Sequence, residues 1–306
     1  MHLLLGDPTD SWCASVRGGL EARGYETHLT ANPFEHPYHF AWRLDNHQSK
    51  SRLVLDGLSL EPLESVFVRR TGWIDPTGWR PDDLNYVQAE TQAALLAWLW
   101  GLECPVVNRY PAAIWYRPQL PLLSWQSLLR GCGLPVLEQV ITSVAVEARA
   151  FGERLSSEGV AGAVYAPLTT DTRYLLTEEH DWEALAAIQG CAPVCLTYPH
   201  GPVQFACVVG ERVIWQGAAT SEMVKLAPLL RRFANAAQLA FVELALGATS
   251  RGIGVIAIET HPNYDHFGET ARRDIVEALV HLLAPPTDWT RQHASSALEF
   301  SGAGRP

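Results

Sequence analysis

Glu243 and Glu259 are carboxylates set inside two apolar runs, residues 239–246 and 253–259. The second run leads directly into Thr260-His261-Pro262-Asn263-Tyr264-Asp265-His266. If the two runs pair as a hairpin, both acids sit within apolar strands, where an unpaired ionised group is costly to bury. A divalent cation would supply the counter-charge, with His261 or Asn263 completing a mixed oxygen and nitrogen ligand set. The alternative is that both acids face solvent on the open side of the sheet. A second group is cationic: Val66-Phe67-Val68 runs into Arg69-Arg70, another strand-like segment ends at Asn108-Arg109, and Arg117 follows. Strand ends in an α/β sheet converge on the ligand cleft, and guanidinium groups there suit a carboxylate or phosphate held by bidentate bonds. A solvated strand end is the alternative for each arginine. The chain has no Walker-type phosphate loop, no dinucleotide fingerprint and no nucleophile elbow.

These residues need elements to position them. Residues 2–5 are a short apolar run, Trp12, Val16 and Leu20 recur at helical spacing, Gly24 stops that helix, and residues 25–29 read as a second strand. This predicts a β-α-β opening. The sheet is expected to continue through strands at 52–58 and 65–70, while residues 32–50 show no clear period. Pro81-Asp82-Asp83 predicts the start of a long helix to Trp100, with Gly101 as its terminator, and residues 105–108 the next strand. A helix over 121–130, a strand at 136–142, an amphipathic helix at 146–156 and a strand at 160–166 follow. Beyond them come a short helix at 181–189, strands at 192–197, 203–209 and 212–217, and a helix at 221–237. After the two acidic runs a last helix occupies 269–283. From residue 284 onward Pro, Ser, Gly and charge dominate, which predicts a loose tail.

Composition narrows the function classes. With 47% hydrophobic and 18% charged residues over 306 positions, the chain can bury a sizeable core. A formal charge of -10 argues against a nucleic-acid binder or a partner of anionic membranes. The longest apolar run, residues 93–102, is too short to span a bilayer. Met1-His2-Leu3-Leu4-Leu5 lacks a basic leader, so the expected compartment is the cytoplasm. Six scattered cysteines with no C-x-x-C pair predict neither a disulfide framework nor a zinc ribbon. The 23 basic residues are 21 Arg and only two Lys, Lys50 and Lys225. Arginine must carry nearly all fixed positive charge.

Taken in order, these pieces resemble the ATP-grasp superfamily over about residues 1–283, notably the branch of glutathione synthetase, ribosomal-protein glutamate ligase and the peptide macrocyclising ligases. The marks are Arg69-Arg70, the long helix before Pro105-Val-Val-Asn108, the path through Ala112 and Arg117 to Gly133-Leu134-Pro135, the segment 162–168, the hinge-like segment 194–198, the hairpin sequence 208–213, and Glu243 with Glu259. The resemblance implies an α/β and α+β fold. An N-terminal open α/β domain (1–110) would precede a central lobe (111–198) and a C-terminal lobe (199–285) around a cleft, then a flexible tail (286–306). It implies ATP and Mg²⁺ as cofactors and a small-molecule or peptide substrate bearing a carboxylate, which is phosphorylated and then captured by an amine. It also implies metal ligation by Glu243, Glu259, His261 and Asn263, an adenine hinge at Val194, Leu196 and Tyr198, and substrate contacts from Arg69, Arg70 and Arg109.

The chain departs from that pattern where phosphate is gripped. The two positions of the family's phosphate lysines hold Gln119 and Ala166, Thr169-Thr170-Asp171-Thr172-Arg173 replaces its glycine-rich cover, and Gln204-Phe205 stands where an arginine is expected. His261 stands where an Asn metal ligand is usual. One preorganised donor is worth about 3–4 kcal/mol of transition-state stabilisation, so losing several is severe, and only Arg117 and Arg173 are placed to restore part of it. Two readings follow: a carboxylate-amine ligase with an impaired or lost phosphate site, or an inactive binding or scaffold subunit serving a peptide, a second copy or an active ligase partner.

Overall fold

The computed structural model describes residues 1–31, 38–44, 49–55, 57–69, 74–117, 122–168, 172–189, 191–199, 201–249 and 252–284. The chain divides into two compact units. The first comprises residues 1–115, 238–241 and the segment from 269; the second comprises 116–237 and 242–268. Arg70, Gln119 and the expected tail lie outside the described residues. No described helix is long and apolar enough to cross a membrane, and all six cysteines are free thiols.

In the first unit, β1 (His2–Leu5) is buried along its whole length, as expected of a parallel strand covered on both faces. It leads into α1 (Ser11–Glu21), whose N-cap Asp10 accepts a hydrogen bond from Cys13 N at 2.9 Å and whose buried face is Trp12, Cys13, Val16 and Leu20. β2 (Thr27–Thr30) then pairs parallel with β1. The predicted β-α-β opening is present. Next come β3 (Tyr38–Leu44), β4 (Ser49–Leu55) and β5 (Leu58–Ser59), which form a separate antiparallel three-stranded sheet. The sequence places residues 52–58 in the first sheet and gives no strand at 38–44. The structure differs because residues 38–44 pair with 49–55 over seven residues.

The first sheet resumes at β6 (Ser65–Val68), parallel to β1, and closes with β7 (Val106–Val107) after the long helix α2 (Pro81–Gly101), giving the order β2-β1-β6-β7. α2 buries Leu95, Trp98 and Leu99. A short helix, α3 (Ala112–Trp115), ends this stretch.

The second unit holds two α+β lobes. α4 (Leu122–Gly131) comes first and packs on the other lobe, at residues 221–236 and 252–259; in one lobe β8 (Gln139–Thr142), β9 (Ala163–Tyr165), β10 (Tyr174–Leu176) and β11 (Val194–Thr197) build a sheet of order β10-β9-β11-β8, with α5 (Ala145–Ser157) and α6 (Glu179–Gln189) packed on it. Its core joins Ala148, Phe151 and Leu155 of α5 to Val194 and Leu196 of β11. In the other, the hairpin β12 (Gln204–Val209) and β13 (Arg212–Trp215) is followed by α7 (Ser221–Ala236), β14 (Phe241–Thr249) and β15 (Gly252–Glu259), in the order β13-β12-β14-β15. Val255 N donates to Pro135 O at 2.9 Å, tying β15 to the segment before β8. Gly254 permits this approach, since a Cβ there would fall 2.6 Å from Pro135 O. α8 (Glu269–Leu283), which the sequence leaves with the last lobe, belongs to the first unit, where it packs against α1 and Val280 meets Gly19.

Candidate functional site

The two acidic runs do pair as a hairpin, and its register sets Glu243 of β14 directly opposite Glu259 of β15. Cross-strand partners share a face of the sheet, so the two carboxylates project from the same side. Their environments differ: Glu243 is 0% exposed and Glu259 is half-buried. A fully buried carboxylate requires donors, and the segment after β15 brings them. The chain bends back so that Asn263 N donates to Glu243 Oε2 at 2.8 Å. The Asn263 side chain accepts from Asp265 N at 3.0 Å and thereby caps a single 3₁₀ turn, residues 264–266.

That turn delivers His266, whose Nδ1 lies 2.6 Å from Glu243 Oε1. If Glu243 is ionised it can only accept, and Nδ1 is then the ring atom that carries a hydrogen. The imidazole lies flat on the ring of Phe205 from β12, with centroids 3.9 Å apart and planes 12° apart. Asn263 Nδ2 sits 3.4 Å from the outer nitrogen, Nε2. Both Glu243 oxygens are therefore held by protein donors, and the ring that holds one of them is fixed on its flat side. His261 Nδ1 lies 3.2 Å from Thr260 Oγ1. The sequence leaves Glu243 either beside a cation or facing solvent; the structure gives it hydrogen-bonding contacts with His266 and Asn263 N.

Magnesium keeps several waters and demands near-octahedral oxygen geometry. A carboxylate without solvent exposure, closed over by an imidazole, does not provide that. Among the described residues no three His, Cys, Asp or Glu side chains gather as a metal site. Glu243, Glu259, His261 and Asn263 as arranged do not fit the ion.

On the nucleotide side, Ala166 is buried just past β9, its N donating to Cys195 O at 2.9 Å, and its methyl group offers phosphate no charge. Val194 and Leu196 are buried in β11, a strand flanked by β9 and β8. Tyr198 follows, its N bonded to Glu138 O at 2.8 Å. Its side chain packs beside the buried cluster Leu137, Ala245 and Ile256, which Val203, Phe205 and Ala257 also border. Arg117 and Arg173 are both exposed, and Arg173 donates to Thr172 O at 3.1 Å. Arg173 also acts on β11: burial raises the pKa of the Cys195 thiol, and this guanidinium offsets part of the rise.

Arg69 and Arg109 of the first unit are engaged internally. Arg69, buried, pairs with Asp10 through Nε and Nη2 at 3.2 and 3.1 Å, and its guanidinium lies 5.7 Å from the centre of the Phe241 ring. Arg109 donates to four carbonyls at the end of α2, those of Leu99, Trp100, Leu102 and Cys104, at 2.7–3.1 Å. It is a helix cap, where the sequence suggests a substrate ligand. Between them, Asn108 exchanges two short bonds with the backbone of Phe241, at 2.6 and 2.7 Å.

The residue that sequence reasoning missed is His266. The available signal was Asn263 two positions before Asp265, the signature of an Asx turn that would swing the following side chain back toward β14.

Neither a protein-family model nor a curated protein sequence matches the chain. Solved structures do. The macrocyclase MdnC of Microcystis aeruginosa, bound with its precursor peptide MdnA, is 14% identical over 92% of this chain and 98% of its own, with a TM-score of 0.68. The ATP-grasp ligase PsnB, complexed with a precursor peptide and AMPPNP, is 21% identical over 92% and 97%, with a TM-score of 0.70. A ligase of Chryseobacterium gregarium described as RiPP-associated and ATP-grasp, in complex with ADP and a leader and core peptide, is 14% identical over 93% and 97%, with a TM-score of 0.67. The chain has the ATP-grasp fold across nearly its whole length.

Proposed function

We propose that this chain is a peptide-directed protein on the ATP-grasp frame in which the metal and phosphate end of the carboxylate-amine ligase site is impaired or lost. The observation that carries this reading is the closure of Glu243 by His266 and Asn263 N. Ala166 in place of a phosphate lysine adds to it, because transferring a phosphoryl group is mostly a matter of positioning and neutralising charge. A peptide partner is supported by solved structures of the same fold that hold precursor peptides. Arg117 and Arg173, exposed in the second unit, are the groups that would meet an anionic ligand there.

A second reading, an active carboxylate-amine ligase, draws on the register that opposes Glu243 and Glu259. ADP release separates the two. The purified chain is incubated with millimolar Mg-ATP, alone and with a panel of Glu- and Asp-containing peptides. Our reading expects no release above the buffer rate in any arm. ADP formation stimulated by one peptide and abolished by Glu243→Gln would overturn it in favour of the ligase.

A further inference from the structure

His266 has no part in the pattern that the resemblance supplies, yet it bonds the buried acid, and Phe205, which with Gln204 stands where that pattern expects an arginine, stacks on it. A carboxylate with no solvent exposure cannot be left without compensation. Here Oε2 receives a backbone N–H at 2.8 Å, a contact that a metal-binding carboxylate also commonly has. Oε1 receives the imidazole at 2.6 Å. The imidazole is one-third exposed, so it lies outward of the acid it bonds. Phe205 beneath the ring and Asn263 Nδ2 at its outer nitrogen limit its rotation. An ion approaching Glu243 from solvent therefore has to displace a ring held on three sides.

We propose that His266 is a built-in substitute for the cation: it occupies the metal-facing oxygen of Glu243 and keeps divalent ions off the Glu243–Glu259 pair. This deepens the reading above, resting on it in taking Glu243 as the acid that faces a metal in this fold. It predicts a gain on mutation. Removing the ring takes away the imidazole 2.6 Å from Oε1 and opens a path to Glu243, which lies opposite Glu259 in the hairpin.

The test is a manganese titration followed by electron paramagnetic resonance, without nucleotide, on the full chain. The wild type is expected to leave Mn²⁺ free up to millimolar concentration. His266→Ala is expected to bind it roughly ten- to a hundredfold more tightly, the range by which outer-shell partners alter metal affinity. His266→Gln, whose amide can still donate to Oε1, is expected to resemble the wild type. Glu243→Gln with His266→Ala should lose the gain. Should His266→Ala fail to fold, nitrogen-detected imidazole spectra of the wild type decide: the Nδ1-bound hydrogen of His266 should persist unchanged at millimolar Mg²⁺. Micromolar Mn²⁺ binding by the wild type, equal binding by wild type and His266→Ala, or a His266 signal altered by Mg²⁺ would each overturn the proposal. Because nucleotide is left out, ATP turnover, which would end the broader reading, does not affect this outcome.

Discussion

Replacing Arg109 tests whether a residue that looks like a ligand-binding arginine is instead a structural cap. Its guanidinium donates to four carbonyls at the end of α2, three in part-buried surroundings and one, Trp100 O, exposed. The last turn of that helix contains no basic residue of its own. Arg109 thus supplies both the hydrogen bonds and the positive charge that a helix C-terminus favours. A net hydrogen bond to a charged group contributes about 1.5–3 kcal/mol, and a cation at a helix C-terminus about 0.3–1 kcal/mol. Water can replace the guanidinium at the exposed carbonyl, and the bonds share one donor group, so the terms do not add. We expect Arg109→Ala to cost about 2–4 kcal/mol and Arg109→Lys about half as much, since an ammonium keeps the charge but cannot span four acceptors. Urea denaturation followed by tryptophan fluorescence reads both. Against a typical total stability of about 5–15 kcal/mol, such losses shift the midpoint clearly. An Arg109→Ala midpoint indistinguishable from wild type, with peptide binding lost, would refute the cap and return Arg109 to the binding machinery.

Three further outcomes follow from the same reasoning. Gly254→Ala places a methyl 2.6 Å from Pro135 O and 2.8 Å from Thr249 Cγ2, and is expected to cost about 1–3 kcal/mol by overpacking, read as a lowered melting temperature. Asn108→Leu strips both backbone groups of Phe241 of their partners and should cost about 2–5 kcal/mol by denaturation, at roughly 1–3 kcal/mol for each buried group left unsatisfied. His2 is held below its ordinary value of 6.5, with burial outweighing the attraction of Glu64. The unfolded chain therefore takes up a proton there before the folded one does, and stability should decline as pH falls below about 6.5. His2→Asn should flatten that part of the stability profile, and an unchanged slope would contradict the assignment.

What the sequence revealed and what it hid have physical causes. β1 was legible because Leu3-Leu4-Leu5 can only be a covered strand before Gly6-Asp7-Pro8, and α1 because Trp12, Val16 and Leu20 keep helical spacing to Gly24. That the apolar runs holding Glu243 and Glu259 could pair was legible from their nearness along the chain; the register that opposes the two acids came only from the structure. The strand at 38–44 was legible but went unread: Tyr38, Phe40, Trp42 and Leu44 alternate with His39, Ala41 and Arg43, a period that is lost when the whole of 32–50 is read together. β10 was hidden by its length of three residues. Arg109 misled because its acceptors are backbone carbonyls, and residue types carry no record of where a helix end will lie relative to a side chain. His266 was overlooked for a related reason. Its meeting with Glu243 depends on the Asx turn at Asn263, and 23 residues of sequence separate the two partners. The return of α8 to the first unit is likewise a long-range choice, settled by its packing with α1.

If Glu243 is the acid that would face a metal, its closure by His266 is tested most directly by calorimetric titration of ATP with and without Mg²⁺. The account predicts that any heat of binding is the same in both titrations, because the ion finds no carboxylate to join. Tighter binding in the presence of Mg²⁺ by about tenfold, equivalent to 1.4 kcal/mol, that disappears in Glu243→Gln would contradict it.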